Sequence, residues 1–273
     1  MPYFIRSHKQ PAVPGLDFTA RVEDVWRPDG STGKGGDGAG RGRGWVCEGD
    51  EVVCLRPWHA RYVVKIPKGK TLRAAAGLLP TACTAKAQVD DARLEEGQRV
   101  LVIGASGGVG TMAVQMVREK VVDYTLYKDL PSELARRFGE KKFDAVLDTF
   151  GNQAVYKRCA QYLKPEGLYS AASVHYDDYT FWKLMKSGLT IMANSIWPKT
   201  PWLGGTGRTW KAVSMMDPGM DMMEGIVKMF GENKLRVVVD SEWPFEKAHD
   251  ALDVLATGHA AGKVLIKVNE DKE

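Results

Sequence analysis

The sequence predicts an α/β fold built on a parallel, doubly wound sheet, and three observations lead there. Strand-like and helix-like segments alternate through the second half of the chain. One strand, "RVLVIG", runs directly into the glycine-rich loop "ASGGVG" and then into the helical stretch "TMAVQMVREK". A smaller, strand-rich region precedes that alternation, and the chain closes on the strand "KVLIKV" behind a glycine.

Taken in order, residues 1–29 form an irregular start with a short strand in "DFTARVEDV". Gly30–Gly44 holds eight glycines in fifteen residues, with Lys34, Arg41 and Arg43. So much glycine carries a large ordering entropy and favours a surface loop; the alternative, an RGG-like RNA-binding segment, has a single RGRG and no aromatic residue. "VCEGDEVVCL" and "ARYVVKIP" are two strands around a turn, and Thr71–Ala92 predicts two helical pieces parted at Pro80. The later strands are "RVLVIG", "FDAVLDTF", "GLYSAAS" and "LTIMAN"; helices are expected in "TMAVQMVREK", "LPSELARRFG", "NQAVYKRCAQYL", the methionine-rich "GMDMMEGIVKMFGENKL" and the tail.

Composition narrows the function classes. The chain has 273 residues, 44% hydrophobic and 26% charged, enough for one large or two modest domains of a soluble protein. A net charge of +4 is too small to imply nucleic acid, although it suits an anionic cofactor. No stretch is long and apolar enough to span a membrane, and the first residues lack the order of a secretory signal. Cys47, Cys54, Cys83 and Cys159 are scattered without CxxC spacing, and the five histidines form no HxxxH pair. They are expected to be free thiols of a reducing, cytoplasmic compartment with no metal site.

The pattern Ala105-x-Gly107-x-x-Gly110 is a GxGxxG fingerprint with alanine in the first place. Gly107 would let the backbone approach a pyrophosphate, Gly110 would let helix and strand pack closely, and the helix N-terminus would attract the anion. An acidic reader of the ribose belongs about twenty residues further on. Asp123 lies at nearly that distance, which points to NAD. Yet "TMAVQMVREK" passes into "VVDYT" without a turn residue, where a connection is needed.

The motifs "PGLDFTARV", "GDEVV", "LPTACTA", "GQRVLVIGASGGVG", "FDAVLDTFG", "YLKPEGLYSAAS" and "GKVLIKV" occur together and in order. In them the chain resembles the zinc-independent, quinone-oxidoreductase-like (zeta-crystallin-like) branch of the medium-chain dehydrogenases/reductases. The resemblance implies a Rossmann doubly wound parallel sheet with a truncated GroES-like β domain. The expected domains are a truncated GroES-like catalytic part at 1–80, a nucleotide-binding part at 81–237 and a return segment at 238–273. Only thirteen residues precede "PGLDFTARV", where relatives carry several strands. "VVDYT" also follows the first helix directly, so a strand-helix unit is missing near 118–122, and with it the basic residues that would grip a 2′-phosphate. On that alignment Asp123 is a loop acid beside a deletion; if "VVDYT" took the vacant strand position, the domain would be rewired instead.

The family implies NADPH-dependent reduction of a quinone or an α,β-unsaturated carbonyl, by hydride transfer without metal, in a homodimer whose nucleotide domains pair edge to edge. By motif, Ser106, Gly107, Gly108, Val109 and Gly110 would cradle the pyrophosphate. Thr149 and Gly151 would line the adenosine side, Ser170 and Ala171 the nicotinamide, and Lys263 would approach from the closing segment. Thr84 is the candidate proton donor to the substrate oxygen; alternatively its hydroxyl satisfies a backbone N–H at a helix start. "NSIWPKTPWLGG" would roof a substrate pocket or cover a sheet edge or dimer contact. Lys86 stands where relatives carry an aromatic residue. Partners are a small-molecule substrate and a second copy, with no nucleic acid and no membrane. Two alternatives stand beside the reductase: a non-catalytic nucleotide-binding or scaffold protein, and a cofactor-free enzyme that reuses the pocket.

Overall fold

The computed structural model describes residues 17–22, 46–47, 49–55, 62–117, 129–172, 181–196, 205–213 and 218–268. The glycine-rich stretch 30–44, Asp123 and the tryptophan-bearing segment 197–204 lie outside those residues.

Three sheets are present among the described residues. β1 (Phe18–Arg21), β2 (Glu51–Cys54) and β3 (Val63–Lys65) form an antiparallel sheet in that order. β4 (Val100–Ile103), β5 (Phe143–Asp148), β6 (Leu163–Ala171) and β7 (Thr209–Ala212) form a parallel sheet in chain order. β8 (Val239–Pro244) and β9 (Lys263–Lys267) pair in parallel by themselves. In the described structure β4 is therefore an edge strand, where a complete doubly wound sheet would continue beyond it.

The helices cover both faces of the parallel sheet. α1 (Leu72–Ala75) is capped by the Thr71 hydroxyl, and α2 (Leu78–Ala92) follows it. The break falls at Gly77, in the left-handed region with φ +80°, and not at Pro80. Pro80 sits in the first turn of α2, where its missing N–H has no partner to lose. α2 packs with α3 (Gly108–Val117) and α7 (Met220–Gly231) on one face, through Leu78, Leu79, Ala82, Met112, Ala113, Met223, Ile226 and Phe230, against Val100 and Leu147 of the sheet. The opposite face carries α4 (Leu130–Phe138) and α5 (Gln153–Lys157), with Leu134, Val155 and Tyr156 on Phe143, Val146 and Tyr169. α3, directly after β4, and α5, directly after β5, thus lie on opposite faces, an arrangement that in open α/β sheets places ligands at the strand ends.

One predicted strand is a helix. "LTIMAN" lies inside α6 (Phe181–Ile196), and the fourth sheet position belongs to β7. Six residues of β-like composition were too short a window. Over the full sixteen, apolar residues recur at spacings of three and four, the period of a helix. α8 (Ala248–Ala256) leads through Gly258, φ +71°, to β9.

All four cysteines are unpaired. Cys54, Cys83 and Cys159 are buried, and desolvation pushes their thiols up to about 12, 12 and 11. Cys47 is half-buried. A thiol reagent at pH 8 is expected to label one cysteine per folded chain, at Cys47, and four after denaturation, counted by intact mass. Rapid native labelling of a second thiol would contradict the buried placements.

Candidate nucleotide-binding site

The site begins with the turn that follows β4. Gly104 takes φ +74°, and a side chain there would press on Thr149 Oγ1 at 2.7 Å. The Gly107 amide donates to Gly104 O at 3.0 Å, and the Thr111 amide to Gly107 O at 2.9 Å. A Cβ on Gly110 would overlap the Gly104 carbonyl oxygen and Ala105 Cα, so this glycine lets α3 sit on its own loop. Ser106 is exposed, Gly107, Gly108 and Val109 are half-buried, and Gly110 is buried. The first N–H groups of α3 have no carbonyl of their own helix to bond and carry the positive end of its dipole.

A cation closes this loop from the far end of the chain. Lys263, the first residue of β9, lays its side chain across both Gly77 and Gly108. A Cβ on Gly108 would meet Lys263 Cδ at 3.1 Å and Thr81 Cγ2 at 3.0 Å. Lys263 Nζ lies 3.9 Å from Asp17 Oδ1, and both side chains are largely enclosed. Burial pushes the Asp17 carboxyl above its ordinary value, and the Lys263 charge opposes that shift. α2, the glycine loop, β9 and the start of β1 thereby converge on one basic, glycine-lined cradle, which fits a pyrophosphate.

Beside it, the end of β5 is held by a buried carboxylate. Asp148, 1% exposed, accepts the Phe150 and Gly151 amides on Oδ1 at 3.0 and 2.7 Å. Its Oδ2 accepts the Asn152 amide at 2.8 Å and the Tyr169 hydroxyl at 2.7 Å. Burial pushes this carboxyl up, and the four donors pull against it. Thr149 is fixed as a consequence: its hydroxyl donates to Ile103 O at 2.8 Å and faces Gly104 O at 3.2 Å, tying the β5 end to the glycine turn. On the other face, Gln88 of α2 donates through Nε2 to Asp148 O and Ser170 O at 3.2 and 3.0 Å.

The motif-derived residues separate into two groups. Ser106–Gly110, Thr149 and Lys263 meet around the loop. Gly151, Ser170 and Ala171 are buried; Ser170 is fully enclosed and its hydroxyl has no partner among the described residues. Thr84 lies within α2, half-buried, and donates to Pro80 O at 2.6 Å. That bond runs to a carbonyl one turn back and not to an N–H at a helix start. Lys86 pairs with Asp90 on the same helix. Among the described residues no three His, Cys, Asp or Glu side chains gather as metal ligands, and no helix is long and apolar enough to cross a membrane.

Sequence and structure comparisons agree with this architecture. The family model described as zinc-binding dehydrogenase matches residues 118–266, more than half of the chain. The chain belongs to the medium-chain dehydrogenase/reductase superfamily. Within that superfamily it is 32% identical over 234 residues to the medium chain reductase pydE of an Acremonium species, covering 77% of this chain and 62% of that one. It is 27% identical over 225 residues to the trans-enoyl reductase poxH of Penicillium oxalicum, covering 74% and 58%. The chain thus spans about three fifths of the length of these curated relatives. In fold it resembles the quinone oxidoreductase of Coxiella burnetii, with a TM-score of 0.67 at 19% identity over 96% of this chain and 81% of that one.

Three stability predictions follow from the geometry. Gly110→Ala is expected to lose about 1–3 kcal/mol in denaturant unfolding, because backbone cannot yield to the added methyl. Gly107→Ala meets only Gly104 O, at 3.4 Å, and should stay within about 0.5 kcal/mol. Asp148→Asn places an amide N–H₂ against at least one inward-pointing N–H and is expected to cost about 1–3 kcal/mol. A neutral result would mean that the four-donor arrangement does not hold the β5 end.

Proposed function

We propose that the protein is an NADPH-dependent reductase of a quinone or an α,β-unsaturated carbonyl. The observation that carries this reading is the glycine turn at the ends of β4 and β5, with the Lys263 side chain of β9 laid against it. Its supports are superfamily membership and the reductases among the similar proteins.

The residues present fit a dinucleotide. The first turn of α3 offers N–H groups to the pyrophosphate, while the Lys263 side chain, laid against Gly108, brings a positive charge beside them. Thr149 keeps β4 and β5 in register with the turn and shapes the adenosine side. A bound nicotinamide would supply the hydride; the chain's part is to hold the rings, exclude water and offer a donor to the substrate oxygen. Thr84 is the candidate for that donor. It would have to share or exchange its bond to Pro80 O, since a hydroxyl has one proton.

A second reading is a nucleotide-binding protein without turnover. The committed Thr84 hydroxyl and the enclosed Ser170 favour it.

The deciding experiment is a titration with NADPH and with NADH, followed by tryptophan-to-nicotinamide energy transfer, then NADPH oxidation against a panel of enones and quinones. Micromolar NADPH binding with turnover is the expected result. Lys263→Ala should raise the NADPH Kd about tenfold while the fold is retained, checked by circular dichroism. Binding without turnover on any acceptor selects the second reading. A preference for NADH restores Asp123 as ribose reader, and binding of neither overturns both.

A further inference from the structure

One carboxylate beside the cradle is held by charge alone. Among the described residues the polar partner of Asp17 is Lys263, with Nζ 3.9 Å from Oδ1, beyond hydrogen-bonding distance. The two side chains are 12% and 23% exposed. A carboxylate this enclosed is ordinarily secured by several donors, as Asp148 is by four. The other charges on the elements around Asp17 are engaged elsewhere. Arg21 of β1 pairs with Glu51 of β2, and Arg73 of α1 with Glu242 of β8. Asp240 of β8 accepts the Ala261 amide, and Lys267 stands at the far end of β9. Lys263 is the described cation whose charge acts on Asp17.

The same lysine borders the anion side of the cradle. Its stem passes Gly77 and Gly108, and Gly108 is the first residue of α3, where the unbonded N–H groups of that helix begin. A turn from one staggered well to the next about the last carbon–carbon bond moves Nζ by about 2–3 Å and leaves the stem in place. We propose that the cradle exchanges a carboxylate for a phosphate: the Lys263 ammonium leaves Asp17 for the incoming anion, and Asp17 takes up one proton from solvent as its partner departs. The proposal rests on the reading of this cradle as a pyrophosphate site.

The charge balance calls for that proton. In the free chain the ammonium and the carboxylate neutralise each other. With the anion bound, an ionised Asp17 would be left buried, unpaired and beside like charge. Burial already pushes this carboxyl up, and Lys263 restrains it. Departure of the cation removes the restraint, and the phosphates push the same way. Uptake is confined to the pH window between the free-chain and bound-chain values of Asp17, both above the ordinary carboxylate value. Below that window Asp17 is protonated in both states, and above it Asp17 is ionised in both. Inside the window the anion binds more weakly as pH rises, approaching about tenfold per unit. Asp17 is thus a competitor of the ligand for Lys263, not a support of its binding.

The test is isothermal titration calorimetry of NADPH into the full chain between about pH 6 and 8, in Pipes and in imidazole, whose unlike ionisation heats report the protons taken up. Subtracting the result for Asp17→Asn removes the titration of the ligand's own phosphates. The expected wild-type uptake exceeds that of Asp17→Asn by about half a proton or more within that range. Asp17→Asn should also bind NADPH about tenfold tighter at pH 8, whereas a purely structural Asp17 predicts weaker binding and an unchanged proton count. Lys263→Arg should keep the uptake and Lys263→Met should lose most of it, a readout that does not need Asp17→Asn to fold. Equal uptake in wild type and Asp17→Asn, weaker binding by Asp17→Asn, or full uptake in Lys263→Met would each overturn the proposal and leave the nucleotide reading intact. Inorganic pyrophosphate is titrated in parallel. Uptake that depends on Asp17 with pyrophosphate, without any NADPH binding, upholds the exchange and sinks the reductase reading; binding of neither sinks both.

Discussion

The carboxylate of Asp148 is the constraint on which the rest of the site depends. The chain must leave β5 and turn sharply before α5, and the amides of Phe150, Gly151 and Asn152 would otherwise lack partners at the sheet end. One buried side chain takes all three, and Tyr169 of β6 supplies the fourth bond across the strands. The next residue, Thr149, is then placed to grip the carbonyl at the end of β4, which fixes the glycine turn. A group buried this deeply is costly unless every lone pair is used, and here each oxygen accepts two donors.

Glycines and lysine do the complementary work on the cofactor side. Gly110 is required because the Gly104 carbonyl occupies the space of a Cβ, Gly77 because of its positive φ, and a Cβ at Gly108 would stand tight against Thr81 and the Lys263 stem. Three segments distant in sequence can approach only where all of them are bare. The cradle is made by subtraction of side chains as much as by the placement of charge.

Much of this was legible in the sequence, and the limits have physical reasons. The strand, loop and helix around Val100–Val117 were clear because apolar runs, glycines and helical spacing agreed. The Lys263 side chain lies against Gly108 of that loop. The break after α1 was misplaced at Pro80 because a proline in a helix's first turn looks in sequence like one that ends it, whereas Gly77 needs its positive φ. "LTIMAN" taken alone has β-like composition, and the helical period shows only over the sixteen residues of α6. Asp148, Gln88 and Asp17 were not singled out, since their roles depend on backbone carbonyls, amides and a lysine brought together by the fold. A lone acid between an apolar strand and a turn, as in "VLDTFG", was the available signal for Asp148.

The order of the parallel strands has a consequence for how the molecule is made. β4, β5, β6 and β7 are neighbours in space in the order in which they leave the ribosome, so each can dock on an existing edge as it emerges. The cradle cannot be completed on that schedule. Its closing cation follows all four of those strands in the chain, on a strand that pairs with β8, and its side chain lies against Gly77 and Gly108. During synthesis the sheet can therefore exist before the binding site does, and competence for an anionic ligand waits until β9 has emerged.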